Sequence, residues 1–260
     1  MASECRLVIA REKTRGRSVR EDYHFTAPIK LGEPRVRLDG GRLQLILMMA
    51  SPGVLAGDSF HYDLRLREDA KALITEQSYT KLFNMGSNGR ADREMSVCLE
   101  KGASLWYRPC AVVPYQDSDF HGRTEIHMSE DSELLWTDIF TAGRVGMGER
   151  FLFRHYENLL RVFYDGELIW HDRTLLKPAE LAMENSYFYR DYTHQGSCFY
   201  CGNAEAEDRI LAMDFSNSRY ARVYAGVTRA RRGVCVRVLA TQAQDIEELF
   251  SEVQRIVQNS

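Results

Sequence analysis

Three residues in HQGSCFYCG, His194, Cys198 and Cys201, combine types and spacing that suit a soft metal such as zinc, nickel or copper. The second ligand pair that would close a structural zinc site is missing nearby. In an extended strand the two cysteines point to opposite faces, so both reach one ion only if the chain turns there; otherwise they are buried strand thiols. A different chemistry is suggested by SPGVLAGD, Ser51 to Asp58, which follows the apolar run LQLILMMA. A phosphate loop at that place needs a lysine for the outer phosphates and a following helix whose N-terminus faces the anion. Here SFHYDLRLRED follows, alternating as a strand, and Asp58 would repel a phosphate. The glycines Gly53 and Gly57 then serve a tight turn between two strands. A second glycine cluster, GRVGMGE from Gly143 to Glu149, lacks the spacing and the strand-helix context of a dinucleotide site. No Gly-x-Ser-x-Gly elbow is present, and Cys and His are scattered without a local catalytic signature.

The elements that must position these residues read mostly as strands. From Leu43 to Trp170, short runs rich in Val, Ile, Leu, Phe, Tyr and Trp alternate with Gly, Asp, Asn and Ser clusters, at roughly 8 to 12 residues per strand and turn. Four phrases align without gaps: DAKALITE, KGASLWYR, DSELLWTD and DGELIWHD, recurring roughly every 30 to 34 residues and superposing Leu73, Leu105, Leu135 and Ile169. A turn before an apolar strand is what a coil needs when it buries its face on the next coil. The fold class expected is therefore mainly β, a stacked, β-helix-like or superhelical scaffold with about two helices towards the C-terminal part. One helix starts at the capping-box spacing Asp245/Glu248 and runs about three turns on Ile246, Leu249, Phe250, Val253, Ile256 and Val257. A shorter one is expected after Pro178, while Asn203 to Asp208 reads as an exposed loop. Phe83, Trp106, Tyr115 and Phe120 are assigned to the core rather than to an interface.

The totals set limits. A chain of 260 residues with 44% hydrophobic content builds a packed core, and the absence of a linker makes residues 1–260 one domain. Lys and Arg number 34 against 37 Asp and Glu, a net charge of -3 without long basic blocks, which argues against nucleic acid as a partner. The N-terminal MASECRLVIAREKTR fits neither a signal peptide nor a membrane span, so a cytoplasmic protein with six reduced cysteines is expected.

Four segments, in order, resemble the urease accessory protein D family, called H in some bacteria: SPGVLAGD; ITEQSYTKLF (Ile74 to Phe83); YRPCAVVPYQDSDFHGRTEI (Tyr107 to Ile126); and LLWTDIFTAGRVGMGERF (Leu134 to Phe151). The resemblance spans about Asp22 to Asp172 and is weak outside it. Val54 stands where the family commonly has a second glycine, and Asp138 where it often has Glu. The resemblance implies a stack of β-strands with two helices and a nickel-delivery scaffold without enzymatic activity. It also implies binding to the urease apoprotein and to accessory protein F, with the GTPase accessory protein G docked through F. The resemblance further implies no tightly bound cofactor and nickel held only in transit, which calls for acidic, water-rich sites that release it. Asp58, Glu76 and Asp138 are the expected lining of that route, while Gly53, Gly57, Gly143 and Arg144 shape turns or meet a partner. Two alternatives stay open: a β-helical metalloenzyme using His194, Cys198 and Cys201, and a scaffold that opens urease without touching nickel.

Overall fold

Aligned turn-then-strand phrases become successive rungs of a coil in the computed structural model, which describes residues 2–36, 40–185 and 187–260. In chain order the strands begin with β1 (Ala2–Glu12), β2 (Arg17–Phe25), β3 (Ile29–Leu31), β4 (Arg35–Val36), β5 (Leu43–Met49) and β6 (Ser59–Leu66). They continue with β7 (Lys71–Glu76), β8 (Thr80–Leu82), β9 (Ala91–Leu99), β10 (Ser104–Arg108), β11 (Val112–Pro114) and β12 (Asp119–Met128). After β13 (Glu133–Thr141), β14 (His155–Tyr164), β15 (Glu167–Leu176) and β16 (His194–Cys201) come α1 (Ala204–Leu211), β17 (Val223–Arg229), β18 (Val234–Ala240) and α2 (Ala243–Gln258).

The chain passes back and forth between two sheets. Strands β5, β7, β10 and β13 stack in parallel in one, and β6, β9, β12 and β14 stack in parallel in the other, giving four coils. Short strands β8 and β11, with Val54 bridging to Leu82, make a third side. Period-two alternation then decides what each sheet buries. Leu64, Val97, Ile126 and Val162 lie side by side in register and are fully buried between the sheets. Ile74, Tyr107 and Trp136 form the facing row, the last two rings stacked at 4.2 Å. Their neighbours Leu73, Trp106 and Leu135 point outward and are covered by the helices. Trp106 and Phe120 are buried as expected of core, and Phe83 and Tyr115 meet edge to face at 5.1 Å.

Five details differ from the sequence reading. The ladder places Leu73 opposite Trp106, one residue on from the gapless alignment, and the left-handed turn residues Asp69, Gly102 and Asp131 mark the true phase. DGELIWHD is no rung. Asp165 and Gly166, both with positive φ, form a two-residue hairpin that sends β15 back antiparallel to β14. Asn203 to Asp208 is helical rather than a loop, because the Asn203 side chain accepts hydrogen bonds from the backbone N–H groups of Glu205 and Ala206 and caps α1. The segment after Pro178 makes turns only. Helix α2 starts before the expected box, at Ala243 without a side-chain cap, which leaves Asp245 buried against Arg222 at 3.0 Å.

Helix α2 can sit close to the larger sheet because β16 carries Gly196. A Cβ there would fall 2.5 Å from Ile246 Cγ2, 2.8 Å from Phe250 Cζ and 2.9 Å from Val238 Cγ1. Gly196→Ala should therefore destabilise the protein by about 1–3 kcal/mol through overpacking. Gly226→Ala on β17, where a Cβ meets nothing within 4 Å, should stay within about 0.5 kcal/mol of the parent. Urea unfolding of both variants checks this; equal midpoints would show that α2 is not seated on Gly196.

Candidate functional site

A polar row runs through the apolar space between the sheets. Since Ile74, Tyr107 and Trp136 share a rung, residues two places further on share their face: Glu76 at the end of β7 and Asp138 in β13. Strand β10 ends at Arg108, and Pro109, which has no N–H to donate, occupies the position between the two acids. Opposite them β9 presents Arg93, in register with Gly122 of β12 and, through it, with Asn158 of β14. A Cβ on Gly122 would lie 2.9 Å from Asn158 Oδ1, so glycine leaves Arg93 a clear path: its Nη2 donates to that oxygen at 3.3 Å. The Asn158 side chain in turn hydrogen-bonds Asp138, which also accepts from Trp136 Nε1 at 2.8 Å. Glu76 accepts from Tyr107 Oη at 3.4 Å and from Thr80 Oγ1 at 3.5 Å.

Both acids are half-buried, and each borders an open space. On the Glu76 side a cleft of about 760 Å³, its solvent mouth included, is lined by Ser51, Gly53, Tyr79, Arg93 and Tyr107. On the Asp138 side a smaller pocket, about 360 Å³ with its open solvent included, is lined by Asn158, Asp172, Gln195 and Ser197. Asp172 accepts from Ser197 Oγ at 3.2 Å and from Arg237 Nη2 at 2.9 Å. Burial is the dominant influence on the acids: it pushes Glu76 up to about 7 and Asp138 up to about 6, against the opposing pull of Arg93 on each. Near neutral pH the row thus holds two carboxyl groups, one fixed cation and a proton that is easily lost or gained. The donors are oxygens, with no thiolate or imidazole in the row, a set that binds a divalent cation weakly.

Of the residues singled out from sequence, the structure brings Glu76 and Asp138 to one row and leaves Asp58 outside it. Asp58 accepts from the Leu55 backbone N–H at 2.9 Å and closes the turn carrying Gly57, whose φ is 83°. Gly53 allows a close approach, since a Cβ there would lie 2.6 Å from the Lys81 carbonyl oxygen. The segment around these glycines is longer than a tight turn between paired strands: it crosses from β5 in one sheet to β6 in the other. Arg144 pairs with Glu149, its Nε 2.8 Å from Oε2, and lies over the Tyr115 ring at 4.3 Å, folding the loop that leaves β13 at Gly143.

His194, Cys198 and Cys201 do not converge, which corrects their reading as a ligand set. All three lie on β16, where an extended backbone separates its two ends by about 3.3 Å per residue and turns neighbours to opposite faces. Cys198 packs under the helices, Cys201 packs between the sheets, and His194 Nδ1 is paired with Thr193 Oγ1 at 2.8 Å. Burial raises both thiols, Cys201 to about 12, which opposes the thiolate a metal would need. Sequence reasoning missed Arg93, Asn158 and Asp172. The signal for Asp172 lay in the aligned phrases, three of which end in an acid: Glu76, Asp138 and Asp172. Arg93 and Asn158 sit in strands that carry no such phrase.

Comparison with known proteins follows the same outline. A family model described as UreD urease accessory protein matches residues 2–260, well beyond the stretch from Asp22 to Asp172 in which the sequence resemblance was seen. A urease accessory protein UreD of Acetivibrio thermocellus is 33% identical over 258 residues, covering 98% of this chain and 97% of its own. UreD of Actinobacillus pleuropneumoniae is 32% identical over 251 residues, 94% of this chain and 93% of its own. UreH of Helicobacter hepaticus is 28% identical over 229 residues, 88% of each. With a match of this extent and a coil of stacked β-strands beneath it, the chain belongs to the UreD family of urease accessory proteins.

Proposed function

We propose that this chain serves urease maturation as a non-catalytic scaffold that passes nickel ions towards the urease apoprotein, working in the cytoplasm with accessory proteins F and G. The observation that carries the reading is the row Glu76, Arg93, Asp138, which lies between a cleft on one side and a cavity on the other. Transit asks for weak binding, and three features supply it. The ligands are hard oxygens, the Arg93 guanidinium repels a second cation, and each carboxyl takes up a proton near neutral pH in competition with the metal. A storage site would instead offer several preorganised soft ligands. Family membership supports the link to urease maturation; the buried carboxylates support nickel as the cargo.

Glu76→Gln and Asp138→Asn should each leave assembly with the urease subunits intact and lower the nickel content of urease activated in cells several-fold. Co-purification followed by metal analysis separates the two effects. Full nickel loading with both variants would remove the row from the route and favour a scaffold that acts without contacting the metal. Asp58→Ala, which loosens the turn at the edge of the cleft, should have a smaller effect.

The raised acids also predict a pH profile. A carboxyl whose folded pKa lies above its unfolded value holds its proton more tightly when folded, so stability is greatest below the unfolded value and falls as pH rises towards the folded one. For Glu76 the window runs from the model-peptide value of 4.5 to about 7. At about 1.4 kcal/mol per unit, the loss attributable to this group is at most about 3.5 kcal/mol. Urea midpoints of the parent should decline relative to Glu76→Gln across that window; parallel profiles would show that Glu76 ionises freely.

A further inference from the structure

The outer face of the seven-stranded sheet, on the far side from the row between the sheets, carries a second constellation. Asp119 and His121 on β12 alternate with the core-facing Phe120 and Gly122, and His155 and Glu157 on β14 alternate with Tyr156 and Asn158. The parallel register sets Asp119 beside His155 and His121 beside Glu157, so the four side chains form a square. The two imidazole rings lie 4.2 Å apart, centroid to centroid. One donor atom from each of Asp119, His121 and His155 lies within 4.8 Å of those of the other two.

The two edges of that triangle that meet at Asp119 are already close to those of a coordination shell. Ligands about 2.0–2.2 Å from one ion are about 2.8–3.1 Å from each other in an octahedral shell and about 3.3–3.6 Å in a tetrahedral one. Asp119 Oδ1 is 3.0 Å from His121 Nε2 and 3.5 Å from His155 Nδ1. His155 Nδ1 is buried, and it has no hydrogen-bond partner although it faces the Asp119 carboxylate. A buried, unsatisfied ring nitrogen aimed at a carboxylate and a second histidine is the arrangement expected of a ligand waiting for its ion. Burial and the neighbouring His121 hold His155 below the usual histidine range, which keeps its nitrogen lone pair available near neutral pH.

The carboxylates are fixed from outside the cluster. Arg154 Nη2 lies 3.3 Å from Asp119 Oδ2, while its Nη1 donates to the Ser87 carbonyl at 2.7 Å, tying β12 to the loop before β9. Arg173 Nε donates to Glu157 Oε1 at 2.8 Å, leaving Glu157 Oε2 towards His121 Nδ1 at 3.4 Å. Partners of this kind orient ligands and tune a metal site.

We propose that Asp119, His121 and His155, with Glu157 alongside, form a binding site for one divalent transition-metal ion of the zinc or nickel class. Two imidazoles and a carboxylate favour that class over calcium or magnesium, which take all-oxygen shells. Three protein ligands leave a coordination position for water or for a donor from another molecule. The site is independent of the transit row: it shares no residue with Glu76, Arg93 and Asp138 and stands whether or not that row carries nickel.

The test uses the purified full-length chain, freed of metal by chelation and titrated with Zn²⁺ and Ni²⁺. Seven histidines are present, and exposed pairs such as His61 with Glu94 and His127 with Glu125 offer adventitious contacts, so binding alone decides nothing. The parent should bind one zinc with two imidazole nitrogens in its X-ray absorption spectrum, and Ni²⁺ should broaden the ring signals of His121 and His155 in nuclear magnetic resonance spectra. His121→Gln and His155→Gln should each weaken that binding more than about tenfold, the scale on which loss of even an outer partner acts. Their metal-free melting temperatures serve as a folding control. The Glu76→Gln, Asp138→Asn double variant should retain the site. Unchanged affinity in both histidine variants overturns the proposal. So does a parent protein whose bound zinc lacks imidazole nitrogens or whose His121 and His155 signals stay sharp with nickel, a result that needs no variant to fold.

Discussion

Parallel stacking in register governs this molecule, because each hydrogen-bonded rung fixes which side chain lies beside which on the next. Where the in-phase residues are apolar, as along Leu64, Val97, Ile126 and Val162, the outcome is a continuous core ladder. Where they are polar, the same rule draws charge into a line through the interior. Glu76 and Asp138 owe their proximity to this phase rather than to closeness in sequence, and the facing sheet supplies Arg93 by its own register with Gly122 and Asn158. The same regularity on the outer face assembles Asp119, His121 and His155.

Ionised groups between two apolar sheets are costly, and the structure offsets that cost in specific ways. Arg93 faces the acids from the other sheet, and Trp136 and Tyr107 turn polar atoms of otherwise apolar rings towards them. Burial nonetheless wins over Arg93, which is why both acids hold their protons to unusually high pH. A core designed for stability alone would place leucine at these positions.

Much of the architecture was legible in the sequence because turn-then-strand phrases express the coil directly. The phrases identified the rungs β7, β10 and β13 and placed Glu76 and Asp138 at equivalent positions. They misjudged DGELIWHD because a hairpin and a rung share a turn and an apolar strand, and only the paired positive φ of Asp165 and Gly166 tells them apart. Helix α1 was hidden because AEAEDRIL shows a cap and propensity but only two buried residues, Ala206 and Ile210. The outer-face cluster was hidden for another reason. Asp-x-His at 119 and 121 does place two ligands on one strand face, but the partner His155 comes from the next coil, and that distance is visible only in the register.

Because rungs in a sheet are spaced at about 4.8 Å, β7 and β13, separated by β10 alone, hold the backbones of Glu76 and Asp138 about 10 Å apart. The coil count therefore acts as a ruler. At that step length, two short acidic side chains extending from one sheet face cannot both close on a single ion while remaining extended from their own rungs. On the transit route proposed above, an ion would meet these acids one at a time, and its residence at each would be set by a single acid rather than by a chelate.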